Sequence, residues 1–146
     1  MATFRCMRRF ILMSLAALAL LAAPALAVTK DDSVTAKVKK SGRSGTATVY
    51  KGTVNSKAFG KGTVVEKVYG NLKGTFVITY KKGKIKGKST AKIGSISNGK
   101  VNVTGTYEIT GGTGPYKKAK GKGTFKGSSS ADLQSATFTQ KGKVSY

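Results

Sequence analysis

In each of the stretches Leu72–Tyr80, Lys84–Ile93 and Lys100–Ile109 a face made mostly of apolar residues and glycine alternates with one rich in lysine and threonine. A period of two with one dry and one wet face describes half-buried β-strands, not helices. Leu72, Gly74, Phe76, Ile78 and Tyr80 share one face against Lys73, Thr75, Val77 and Thr79. Ile85, Gly87, Ser89, Ala91 and Ile93 oppose Lys84, Lys86, Lys88, Thr90 and Lys92, and Val101, Val103, Gly105, Tyr107 and Ile109 oppose Lys100, Asn102, Thr104, Thr106 and Glu108. Segments 119–127 and 136–146 continue the scheme, and noisier versions lie at 33–40, 46–54 and 58–69. Eight strands follow, separated by turn chemistry of which Asn98-Gly99 is the strongest hairpin signal.

Glycine weakens a strand unless it permits curvature or close side-chain cover. Here glycines share the dry face with Phe76, Tyr107, Phe125 and Phe138. Strong curvature with aromatic rings laid over glycine favours a closed cylinder over a flat sandwich. The expected fold is all-β, a single eight-stranded antiparallel barrel. A membrane-inserted barrel would turn its apolar face outward, and a lipid-facing ladder of lysines is costly.

The first 27 residues stand apart. Arg5, Arg8 and Arg9 precede the apolar run Phe10–Ala22, and Ala25-Leu26-Ala27 offers small residues for a signal peptidase. The run falls short of the roughly 20 apolar residues of a membrane span. The expectation is a secretory leader of bacterial type over 1–27, one domain over 28–146, and an extracellular or cell-envelope location. Cys6, the only cysteine, leaves with the leader.

Composition excludes much chemistry. The chain has no His, and its carboxylates are Asp31, Asp32, Glu66, Glu108 and Asp132. A zinc centre, a Cys nucleophile and a Ser-His-Asp triad cannot be assembled from this inventory; no cofactor and no metal is expected. Gly87-Lys88-Ser89 lacks the upstream glycine and following helix of a phosphate loop.

Three of the 27 cations lie in the leader, leaving 24 against five carboxylates, a net charge of +19 on residues 28–146. Such a surface attracts polyanions: anionic cell-envelope polymers, lipid headgroups or nucleic acid. All but Arg43 of these cations are Lys, which argues against sequence-specific nucleic-acid reading, where the arginine fork is favoured. The candidate polyanion surface is Lys84, Lys86, Lys88, Lys92, Lys117, Lys118, Lys120 and Lys122; the same charge also serves solubility and keeps sheet edges apart.

Inside the barrel, counting from Gly60, Gly62 and Val64 puts Glu66 on the cavity side, where burial would raise its pKa. The favoured alternative is a bulge that turns Glu66 outward to a neighbouring lysine. Tyr80, Tyr107 and Tyr116 are candidates to line a pocket with Glu66, or are core residues with rim hydroxyls.

The stretch Ile109-Thr110-Gly111-Gly112-Thr113-Gly114-Pro115-Tyr116-Lys117-Lys118-Ala119-Lys120-Gly121 resembles the GGTG-x-[YF]-x-x-A-x-G signature of the allene oxide cyclase and dirigent superfamily. That resemblance implies an eight-stranded barrel with a central cavity, often a homo-oligomer, which in plant members directs cyclisation or radical coupling by shape. The acidic and arginine residues of the plant cavity have no match here, so activity does not transfer. Three functions stay open: a secreted dirigent-like barrel binding a small apolar ligand or acting as an envelope module, a cyclase or isomerase using the same cavity, and an electrostatic adhesin for extracellular polyanions.

Overall fold

A computed structural model describes residues 27–146; of the expected leader, all but Ala27 lies outside them. Eight strands run in chain order: β1 (Thr29–Ser44), β2 (Ala47–Ser56), β3 (Gly60–Val68), β4 (Lys73–Tyr80), β5 (Gly83–Ser97), β6 (Lys100–Gly112), β7 (Lys120–Ser130) and β8 (Ser135–Ser145). Each pairs antiparallel with its neighbours, and β1 pairs with β8 from Thr29↔Ser145 to Lys39↔Ser135, closing an up-and-down barrel. The only regular helical element among the described residues is a 3₁₀ turn, Gly114–Tyr116.

Closure at this small radius works because glycine and aromatic residues meet across strands. Phe76 pairs with Gly87, Phe125 with Gly105, and Phe138 with Gly127. The rings lie where a Cβ on each glycine would stand, so those positions have no room for a side chain. Lysines and threonines between the glycines face outward and are exposed. The core therefore fills the cylinder with Val34, Val54, Val64, Phe76, Ile78, Tyr80, Ile85, Tyr107 and their neighbours.

One expected inward residue leaves the core. Past Thr90, β5 has no β4 partner, and its register against β6 slips between Ile93 and Ile96. Ile93 therefore sits on a ribbon at the rim, 47% exposed, instead of inside. The Asn98-Gly99 turn of that ribbon is left-handed at both residues (φ 50 and 69), the geometry of a two-residue hairpin loop.

The alternating strand direction puts four hairpins (β1–β2, β3–β4, β5–β6, β7–β8) at one end of the cylinder. The other three connections and both ends of the described segment lie at the opposite end. Val28 and Tyr146 exchange backbone hydrogen bonds of 3.3 Å there.

Candidate functional site

The end that carries Val28 and Tyr146 is sealed. Phe59, in the β2–β3 turn, packs with ring centroids 5.2 Å from Tyr80, 5.1 Å from Tyr116 and 5.1 Å from Tyr146. Buried Asp32 holds that turn in place: it accepts from the Ser56 hydroxyl at 2.8 Å and from the Ala58 amide at 3.1 Å. The Phe59 amide in turn donates to the Ser56 hydroxyl at 3.0 Å. Only about 10 Å³ stays open in this half, bordered by Asp32, Tyr80, Tyr107 and Gln140.

The Gly-Gly-Thr-Gly run belongs to the same seal. The Lys84 amide donates to Thr113 Oγ1 at 3.0 Å, and Gly112 lies against the Lys84 and Tyr116 carbonyls with no space for a Cβ. Gly114 is left-handed (φ 59), and the 3₁₀ turn that it begins drops Tyr116 into the aromatic stack and Ala119 into the core. Gly112, Thr113, Gly114, Tyr116 and Ala119 of the motif thus have structural jobs at the closed end.

The half beneath the four hairpins encloses a cavity of about 140 Å³, lined from all eight strands. Ala36, Val38, Val54, Val64, Phe76, Ile78, Phe125 and Phe138 form an apolar wall, and Leu72, Ile93 and Leu133 stand at its rim. The polar groups on this lining are few: Glu66, Ser89, Gln140, Tyr50 and Ser129. Tyr50 and Ser129 are engaged at the rim, the Tyr50 hydroxyl donating to the Leu133 carbonyl at 3.0 Å and the Ser129 hydroxyl to the Ser135 carbonyl at 3.0 Å.

Glu66 faces inward. Neither the β2–β3 nor the β3–β4 register contains a bulge, so alternation carries through from Val64, and the outward turn toward a lysine does not occur. The Ser89 hydroxyl donates to Glu66 Oε1 at 2.9 Å. Burial among apolar side chains raises the Glu66 pKa above the ordinary carboxylate range, and the Ser89 hydrogen bond offsets part of that rise. The result is a cavity-lining carboxyl whose burial disfavours its charged form and whose Oε1 is occupied by Ser89. Burial likewise raises the Tyr80, Tyr107 and Tyr116 hydroxyls above the usual phenol range.

The four residues proposed for one pocket are therefore parted. Glu66 lines the larger cavity, Tyr80 and Tyr107 border the small void beyond its floor, and Tyr116 lies in the seal. Sequence reasoning missed Asp32, Gln140 and Tyr50 as interior polar groups and did not name Ser89 as a partner of Glu66. Ser89 stood on the dry face of a clear strand, which was the available signal. Gln140 and Asp32 interrupt an apolar pattern, and only the register exposes their direction.

The proposed lysine surface is brought together on one wall. Lys84, Lys86, Lys88 and Lys92 project from β5, and Lys120 and Lys122 from β7, on either side of β6. Lys117 and Lys118 follow the 3₁₀ turn at the foot of β7; all eight are exposed. Glu108 of β6 stands between Lys88 and Lys122 in register, and Lys120 Nζ donates to the Thr110 carbonyl at 3.2 Å.

Among known proteins, no family model, no curated protein and no solved structure matches this chain.

Proposed function

We propose that this protein is a secreted, non-catalytic binding barrel that holds a small apolar molecule carrying one hydrogen-bonding group. The observation that carries the reading is the cavity itself: apolar walls, one mouth, and a single carboxyl–hydroxyl pair, Glu66 and Ser89, on the lining. Such a composition, mostly apolar with few convergent polar groups, is that of a small-molecule site. An eight-stranded barrel has an interior either filled by side chains or wide enough for one small ligand; this one is filled at one end and open at the other.

Size narrows the ligand. An engineered dry cavity of about 150 Å³ accommodates benzene. The 140 Å³ here thus suits one ring or a short branched chain, with any longer tail leaving through the mouth. Glu66 and Ser89 supply the hydrogen-bonding groups that would meet the polar atom of that molecule. Secretion rests on the leader-like 1–27, and the likeness to allene oxide cyclase and dirigent proteins supports a cavity used for shape recognition.

Native mass spectrometry of residues 28–146 after exposure to a host lipid and metabolite extract tests the reading. Retention of a small molecule by the wild type, and its loss in Ala36→Leu, which fills the cavity while keeping an apolar wall, is the expected result. A wild type that emerges empty would sink it.

A second reading is favoured by one observation, the gathering of eight exposed lysines about β6. This wall would hold an extracellular anionic polymer through charge alone, and its salt sensitivity separates it from cavity binding.

A further inference from the structure

Two leucines occupy backbone positions that ordinarily demand glycine. Leu72 (φ 61) and Leu133 (φ 57) are both left-handed, a genuine outlier for a bulky residue. Each ends a tight turn of the same construction: the Leu72 amide donates to the Tyr69 carbonyl and the Leu133 amide to the Ser130 carbonyl, both at 2.9 Å. In hairpins of this kind the left-handed position is filled by glycine or asparagine. The chain uses those residues for the other two hairpins at this end, with Gly45 (φ 60) and Asn98-Gly99. Backbone strain of this sort persists where surrounding structure enforces it, and it gathers at ligand clamps and switch regions. Both leucines border the mouth of the cavity.

The same rim gathers exposed apolar surface. Six large hydrophobic residues are exposed among the described residues, and four of them, Tyr69, Ile93, Ile96 and Leu133, lie at the hairpin end. Ile96, 71% exposed, is near the tip of the β5–β6 ribbon. Scattered single apolar residues are ordinary on a surface; a ring of them about one opening, two of the rim leucines held by unfavourable backbone, is not. Exposed Lys67, Lys73, Lys92 and Lys100 alternate with this ring in sequence.

We propose that the mouth of the barrel docks on an anionic lipid surface, with Leu72, Ile96 and Leu133 entering the headgroup region and the flanking lysines meeting lipid phosphate. Apolar tips combined with nearby cations make the amphipathic pattern of interfacial binding. A second copy of the chain is disfavoured as the occupant, because two mouths face to face would oppose like lysine rings on molecules of net charge +19 over residues 28–146. The inference goes beyond ligand binding and does not require it: the docking test reads attachment to lipid, whether or not the cavity is occupied.

The experiment is co-sedimentation of residues 28–146 with vesicles of mixed phosphatidylglycerol and phosphatidylcholine, against vesicles of phosphatidylcholine alone. The wild type should pellet with the anionic vesicles and stay in solution with the neutral ones. The variant Leu72→Asn/Ile96→Ser/Leu133→Asn keeps residues that tolerate the left-handed conformation at 72 and 133, so circular dichroism should report the native fold; its binding should fall about tenfold or more. Gln134→Ser, on the same rim but outside the apolar set, guards against a general effect of mutation there and should bind as the wild type does. Absence of sedimentation by the wild type overturns the proposal. So does a triple variant that binds unchanged, because lysine charge would then suffice, and so does one that alters only self-association in sedimentation velocity, because the rim would then serve a second copy.

Discussion

A carboxyl enclosed by valine, isoleucine and phenylalanine loses the hydration that stabilises its charge, and one hydroxyl does not replace it. Glu66 is in that position, with Ser89 at 2.9 Å as its hydrogen-bond partner. In the unfolded chain Glu66 titrates in the ordinary carboxylate range; in the barrel it keeps its proton to higher pH. Across the interval between the two the folded state binds more protons, so stability falls as pH rises through it and is fully retained below it. Glu66→Gln, which cannot ionise, should match the wild type in urea midpoint at low pH and exceed it above the interval. Parallel midpoint curves across pH would contradict the assignment. The side chain's direction could be reached from the sequence by counting from Gly62 and Val64, yet the lone charge in an apolar face argued for a bulge. The register shows that no bulge occurs, and enclosure raises the carboxyl's pKa instead. The left-handed Leu72 and Leu133 were hidden for a different reason: nothing in a leucine announces positive φ, which costs a non-glycine residue about 1–2 kcal/mol and is visible only in the folded backbone.

Strands pair closely here where glycine meets an aromatic ring, and that contact sets the curvature from β4 to β8. At Gly105 a Cβ would run into the Thr90 carbonyl and the Phe125 ring together. The carbonyl belongs to the ladder and cannot step aside. Gly105→Ala should therefore lower the unfolding free energy by about 1–3 kcal/mol, the usual range for overpacking, measured by urea denaturation. An unchanged midpoint would mean that the cylinder tolerates a wider spacing than the glycines imply. This feature was the most legible one in the sequence, since alternation within each clear strand placed glycines and aromatics on one face. Strand ends were less legible. β1 begins at Thr29, not near Ser33, because its ladder with β8 carries the polar Asp31-Asp32 pair into the sheet and turns Asp32 inward. Ile93 failed the alternation rule because its strand outlasts its neighbour β4. Gln140 faces the interior as a polar residue on a dry face, a direction set by pairing with Val34 and Phe125.

At the scale of the whole barrel, net charge of +19 on a small cylinder has consequences that no single lysine does. The wall places its cations on β5 and β7, two strand spacings of about 4.8 Å apart across β6, and, along each strand, about 6.6–6.8 Å between alternate side chains. Such a field holds a flexible polyanion through many weak contacts and releases it when counterions compete. Binding of a soluble teichoic-acid or polyphosphate chain should therefore collapse between about 50 and 200 mM salt, read by titration at several ionic strengths, and Lys86→Gln/Lys88→Gln/Lys122→Gln should make the salt dependence shallower. Affinity indifferent to salt would leave this wall with a role in solubility alone. A separate outcome follows from Val28 and Tyr146, which lock together at the sealed floor. Anything joined at residue 28 or residue 146, whether an affinity handle or a bead in an immobilised assay, hangs from the pole opposite the cavity. The barrel can thus be captured through either position with its opening left pointing into solution.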